Sequence, residues 1–392
     1  MRVILFAGKG GVGKTSVAAA TGVALARRGY RTLVMSLDPA HSLSDAFDLE
    51  GSLVDHYAGT VVKVDQRLSI QEVDVVEEVH RHWKEIHSYL ALLLSVSGLD
   101  EVLADELAIL PGMEEASCLL YINQYVHRKT FDCIVLDCAP TGESLRFISL
   151  PSILRWYMDK LYRLERNVAK VARPILRRLT NVPLPGDEYF DNLKELFGKL
   201  DGVDRVLANP KVCSVRLVTN PEKMVVRETQ RAYVYFCMYG LLVDGIIINR
   251  ILPGDLKERF FDGWKRTQRR SIGEIEDSFA PVPILPLALR DDEVLGVEAL
   301  SKLADALYGR TDPASFLFES KPLVFKKRRG VLTMTLTLPF LTAGDVDLKR
   351  VEDQLLIRIG SFRRSVALPR GVSPSAAMSV SLEGQELTIR FG

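Results

Sequence analysis

The chain is poor in the features that mark several protein classes. Its five cysteines, Cys118, Cys133, Cys138, Cys213 and Cys237, are scattered through 392 residues with no CxxC pair. That argues against a disulfide framework and against a zinc knuckle, so no zinc is expected. No stretch reaches the roughly 18 apolar residues of a membrane span, and the amino terminus reads as a core strand rather than a signal peptide. The expected location is the cytoplasm. Lysine plus arginine (51) nearly balance aspartate plus glutamate (50), for a net charge of +1. Nothing in that balance points to nucleic acid or to a membrane surface as a partner. His80, His82 and His87 fall in one charged helical pattern, but no pair is spaced four apart, so solvated histidines are favoured over a metal site.

What is present is ordinary in bulk, at 47% hydrophobic and 26% charged residues, and the length suggests two or more domains. The distinctive stretch is the first fifteen residues, MRVILFAGKGGVGKT. Val3 to Ala7 is an apolar strand, Gly8 to Thr15 a glycine-rich loop, and Ser16 to Arg28 an apolar-periodic helix. This is a phosphate-binding loop in the context that its chemistry requires. Glycines let successive N–H groups face one phosphate, and the positive end of the helix adds to the field. The candidate nucleotide-binding residues are Gly8, Lys9, Gly10, Gly11, Val12, Gly13, Lys14, Thr15 and Ser16. In such loops the lysine at the Lys14 position reaches the β- and γ-phosphates, and the hydroxyl at Thr15 ligates Mg²⁺.

Two further strands deliver carboxylates. Thr32 to Leu37 ends in Asp38, and Phe131 to Leu136 ends in Asp137, the position from which a carboxylate holds Mg²⁺ through water. Acidic residues at the carboxyl ends of parallel strands face the ligand crevice of an α/β sheet. Val61 to Ile70 suggests another strand, and Gln71 to about Val96 a helix whose far end is apolar on every side. Residues 151–205 read as helical, with eight basic residues between Arg155 and Arg178 around an apolar stripe. Strands at Val215 to Thr219 and Asp244 to Asn249, with a helix at Glu222 to Met238, continue the alternation. The fold class is α/β, a mostly parallel sheet with helices on both faces.

Three motifs carry a resemblance. The loop GKGGVGKT has a second lysine, Lys9; SLDPAHSLSDAF follows the second strand; LDCAPTGESLRFISLP follows the Asp137 strand. Together they resemble the ArsA/Get ATPases, a subclass of deviant phosphate-loop proteins. The resemblance implies a homodimer that binds ATP and Mg²⁺, with Lys9 crossing to the partner's phosphates, Lys14 acting in cis and Asp38 orienting the attacking water. It further implies that Asn249 reads the adenine edge and that the backbone at Pro286 and Leu287 packs on the ring. Helical insertions at about 71–130 and 151–205 would form a client groove. Departures are Ser42, Cys138 and Glu143, and a Leu252 to Ala280 segment without cysteine where eukaryotic targeting members place a zinc clasp. Three functions remain open: an ATP-gated chaperone for hydrophobic or tail-anchored helices working with a membrane receptor, the energising subunit of an arsenite pump, or a partner-recruiting module whose state ATP sets.

The composition changes after Tyr308. The ATPase domain is expected over 1–310 and a linker over 311–330, with Lys326 to Gly330 as its entry loop. Short strand patterns follow at Val331 to Leu338, Gln354 to Ile359, Phe362 to Leu368, Met378 to Leu382 and Glu386 to Phe391. Turns fall at Gly360-Ser361 and at Glu383-Gly384-Gln385. This predicts an antiparallel β-sandwich over 331–392 that resembles an α-crystallin (small heat-shock) domain, as seen in bacterial and plastid relatives of the Get ATPases.

Overall fold

A computed structural model describes residues 1–37, 42–49, 59–73, 84, 87–88, 91, 113–138, 147–150, 187–257, 259–328, 331–351, 354–369 and 378–391. Asp38, the second switch from 139 to 146, and most of the expected groove helices lie outside the described residues.

An eight-stranded sheet is laid down in chain order by β1 (Arg2–Ala7), β2 (Thr32–Ser36), β3 (Val62–Lys63), β4 (Leu68–Glu72), β5 (Cys133–Asp137), β6 (Cys213–Thr219), β7 (Val243–Ile251) and β8 (Ile284–Ala288). Across the sheet they run β3-β4-β2-β5-β1-β6-β7-β8, all parallel except the antiparallel β3–β4 pair. The five strands β1, β2, β5, β6 and β7 read as near-continuous apolar runs because helices cover both faces of the sheet. Helices α1 (Lys14–Arg27), α2 (Ser42–Ala46) and α8 (Gly296–Tyr308) take part in one core, with Leu25, Leu43 and Leu300 fully buried. Helices α3 (Met113–Arg128), α4 (Asp187–Leu200), α5 (Val203–Leu207), α6 (Lys223–Met238) and α7 (Phe261–Phe279) contribute to the other. Close packing explains Gly22 of α1, where a Cβ would collide with Val34 of β2.

Two expectations need correction. Val61 to Ile70 is two short strands with a turn between them, because Asp65 and Gln66 break the alternation. Gln71 and Glu72 belong to β4 and not to a helix; Gln71 is buried and accepts a hydrogen bond from the Tyr125 hydroxyl at 2.9 Å. Met113–Arg128 and Asp187–Leu200, which fall within the expected insertions, are helical, and they contribute Leu119, Ile122 and Phe190 to the core beside the sheet.

The second unit is a sandwich of two antiparallel sheets. One has the order β14 (Met378–Glu383), β15 (Glu386–Phe391), β10 (Val331–Thr337), β9 (Leu323–Arg328); the other has β11 (Val346–Val351), β12 (Gln354–Ile359), β13 (Phe362–Ala367). Each expected strand is present, and β9 and β11 are additional. The expected linker includes Lys326 to Arg328; those residues instead end β9, their backbone paired with Val331 to Thr333 while the side chains stay exposed. Charged side chains hide such an edge strand from a hydrophobicity pattern, since their role is to keep the edge from pairing further.

The two units share packing. Val234 and Met238 of α6 lie in the sandwich core with Met334, Leu336 and Ile389. Phe362 meets the Tyr235 ring edge-on at 5.1 Å, and Phe340 meets Phe279 at 5.5 Å. The connecting segment is also pinned. Arg216, fully buried in β6, donates to the carbonyls of Pro313 (2.8 Å) and Ser315 (3.1 Å), and Arg2 donates to that of Ala314 (3.1 Å).

Candidate nucleotide site

The glycine-rich loop leaves the carboxyl end of β1 at the middle of the sheet, with β5 on one side and β6 on the other. Ligands in open α/β sheets bind in such a crevice. Gly8 permits the close approach that starts the loop: a Cβ there would fall inside contact distance of the Val218 carbonyl oxygen of β6. Gly11 and Gly13 have φ of +78° and +90°, conformations that L side chains rarely adopt. A Cβ on Gly13 would also strike the Asn249 amide. Asn249, near the end of β7, donates from Nδ2 to the Val12 carbonyl at 2.9 Å, while its Oδ1 accepts from the Arg250 N–H at 2.9 Å. The structure therefore uses Asn249 as a brace under the loop.

Gly13 is the N-cap of α1, no side chain caps it, and the first turn carries no acidic residue. The first-turn N–H groups of a helix have no carbonyl behind them, so this end is electropositive and suited to an anion. Lys14 is buried and its Nζ donates to the Lys9 carbonyl at 3.3 Å, while Lys9 itself is half-buried and Gly10 and Gly11 are exposed. Ser16 is half-buried in the first turn.

The oxygen donors suit a hard cation. The Thr15 and Ser42 hydroxyls lie 3.2 Å apart, and Asp137 is fully buried at the carboxyl end of β5, in register with Phe6 of β1 and Ser36 of β2. Hydroxyl and carboxylate oxygens are the ligands that Mg²⁺ takes, usually alongside water and phosphate. The strand ends are laced together around this point: Leu37 N–H donates to the Asp137 carbonyl at 2.9 Å, and Cys138 N–H to that of Phe6 at 3.1 Å. Pro286 is exposed on β8, whereas the Leu287 side chain is buried in the α1 core, so only its backbone is left for a ligand.

One contributor escaped the sequence reading. Glu72, buried at the end of β4, accepts from the backbone N–H groups of Leu43 (2.9 Å) and Ser44 (3.1 Å) and so anchors α2, which carries Ser42. The usable signal was an acidic residue at a strand end, but the helical pattern drawn from Gln71 onward hid it.

Comparison with known proteins gives the family. Residues 1–309 match the family described as anion-transporting ATPase, and residues 330–391 match the HSP20-like domain found in ArsA. The chain is 42% identical to the "Putative arsenical pump-driving ATPase 1" of Aquifex aeolicus, covering 99% of each chain. It is 36% identical to the "Putative arsenical pump-driving ATPase" of Chlorobaculum tepidum, over 96% of this chain and 93% of that one. An "ATPase ASNA1 homolog" of Entamoeba dispar is 26% identical, over 76% of this chain and 91% of its own. No helix among the described residues is long and apolar enough to cross a membrane. The chain belongs to the anion-transporting ATPase family and is an ATP hydrolase of that family with an HSP20-like domain after the catalytic one.

Proposed function

We propose that residues 8–16 form the ATP site of a homodimer whose nucleotide cycle opens and closes a groove for hydrophobic helices, such as tail-anchored segments. The observation that carries the site is the loop itself: a glycine cradle with no room for Cβ atoms at Gly8 and Gly13, at the head of an uncapped helix, with Lys14 folded against the Lys9 carbonyl. Lys14 binds the β- and γ-phosphates in cis. Lys9, half-buried beside the exposed Gly10 and Gly11, reaches the phosphates of the partner subunit. Asp38 orients the attacking water, as the resemblance implies. Thr15 and, through water, Asp137 would hold Mg²⁺, which when bound neutralises charge on the phosphates. Asn249 fixes the loop from below and, with the backbone of Pro286 and Leu287, borders the adenine.

The names of the bacterial relatives favour a second reading, an energising subunit for arsenite export. As(III) is thiophilic and needs several accessible thiols in one place. All five cysteines are buried, and burial pushes the Cys133, Cys213 and Cys237 thiols up to about 12. That favours the helix-binding reading.

The deciding experiment measures ATPase rate with arsenite and, separately, with a soluble hydrophobic-helix peptide. We expect the peptide to change the rate and arsenite to leave it alone; the opposite result reverses the assignment. Lys9→Ala is expected to abolish hydrolysis while sparing much of the ATP binding, and unchanged turnover removes Lys9 from the site. Asp38→Asn is expected to accumulate an ATP-bound dimer, read as a change in size on adding ATP.

A further inference from the structure

The carboxyl end of β6 keeps one buried polar atom unspent. Asn220 follows Thr219 there and is 6% exposed, and its side-chain oxygen Oδ1 is buried with no hydrogen-bond partner among the described residues. Buried polar atoms in native proteins are nearly always paired, and an exception calls for a donor from elsewhere.

Position says where that donor comes from. β6 lies directly beside β1, with Leu217 in register with Ala7 and the Val218 carbonyl against Gly8. On its other side Thr219 is in register with Ile248 of β7. Asn220, the residue after β6, and Asn249 of β7 therefore follow a matched pair on adjacent strands, at the crevice where this fold class binds ligands. Their amides differ in what they have left. Asn249 uses Nδ2 on Val12 and Oδ1 on Arg250, both at 2.9 Å. Asn220 has kept its acceptor.

The chemistry of the ligand narrows the choice. At neutral pH a triphosphate presents acceptors, which an amide oxygen cannot use. The donors of ATP are on its nucleoside half, the ribose hydroxyls and the adenine 6-amino group. We propose that Asn220 is a specificity residue of the nucleotide site, its Oδ1 accepting a hydrogen bond from the nucleoside half of bound ATP. The inference rests on the assignment of residues 8–16 as the phosphate loop.

The test measures binding, by displacement of a fluorescent ATP analogue from the full chain. The competitors are ATP, inosine triphosphate, which lacks the 6-amino group, and 2′-deoxy- and 3′-deoxy-ATP. Asn220→Ala is expected to weaken ATP by about tenfold, the size of one buried hydrogen bond. For the analogue that lacks the bonded donor, wild type and variant should bind alike. Asn220→Asp keeps an oxygen acceptor and is expected to keep the discrimination between ATP and that analogue, which separates recognition from a folding defect. Equal weakening of all four ligands by Asn220→Ala, or none, overturns the proposal. Failure of ATP to displace the probe from the wild type instead overturns the loop assignment itself, and this proposal with it.

Discussion

Replacing Asp244 with asparagine tests whether the sheet and the connecting segment are held by a buried charge cluster. Asp244 is wholly buried at the start of β7 and serves two buried guanidinium groups, Arg2 at 3.2 Å and Arg216 at 3.3 Å. It also accepts the Leu317 N–H at 3.2 Å. Burial already pulls Arg2 down to about 10, with Asp244 opposing that shift. The amide of the Asp244→Asn variant would match the shape and keep one acceptor, but would leave two buried cations without a counter-charge. Removing one member of a buried pair costs about 3–5 kcal/mol, and the excess cation puts this case toward the upper end. At a urea slope of about 3 kcal/mol per molar, that is a midpoint shift of about 1–1.7 M. The assay is urea unfolding followed by circular dichroism, with limited proteolysis of the 311–320 segment, which the variant should expose. Adding Arg2→Met to the variant should recover part of the loss by removing the surplus charge. A loss below about 1 kcal/mol, the size of an exposed pair, would refute the reasoning.

The brace under the phosphate loop gives a second prediction. Asn249→Ala removes the bond to the Val12 carbonyl, worth about 1 kcal/mol, and is expected to weaken ATP binding severalfold by calorimetry; unchanged affinity dismisses the brace. Thiol reactivity gives a third. With Cys133, Cys213 and Cys237 at about 12, only about one thiol in ten thousand is ionised at pH 8. A disulfide reagent should label these three only on unfolding, and rapid labelling of any of them in native protein contradicts the burial. A fourth concerns Asp132, whose hydrogen bonds from the Arg31 side chain and backbone hold it down at about 2 against an ordinary 3.8. Its contribution is complete above about pH 5 and is lost as pH falls toward 2, so a carboxyl chemical-shift titration should place its midpoint well below that of aspartates without an arginine partner.

The sheet and the phosphate loop were readable because each rests on a local rule. Buried parallel strands are apolar throughout, and a loop that wraps a phosphate must carry glycine where the backbone is crowded or left-handed, as at Gly8 and Gly13. The misreadings share a different cause. Gln71 and Glu72 are polar residues that tertiary partners hold in a strand, Gln71 by the Gly59 carbonyl and the Tyr125 hydroxyl, Glu72 by the start of α2. No pattern in the neighbouring sequence encodes those partners. Strand β9 was missed because only its first half, with Leu323 and Phe325, packs on the sandwich core, while Lys326 to Arg328 are exposed along the edge. Asn220 and Asp244 were overlooked for a third reason: their significance is a hydrogen-bond account that exists only once the strands are side by side.

Helix α6 is where these accounts meet. It begins three residues after Asn220, at the nucleotide end of the sheet, and runs to Met238 at the opposite end. There Arg364 of the β-sandwich donates to the Met238 carbonyl and stacks on the Tyr239 ring, burial pulling its guanidinium down to about 10. A cation at a helix carboxyl terminus complements the dipole, so the sandwich supplies the basic group that the last turn of the helix lacks. One flank of α6, through Val226 and Phe236, is part of the ATPase core, and another, through Val234 and Met238, is part of the sandwich core. A helix that belongs to two cores cannot shift in one without repacking the other, because interiors are close-packed rather than fluid. A displacement of the segment between β6 and α6 would therefore reach the β-domain through this helix as well as through the bonds of Arg2 and Arg216 to residues 313–315.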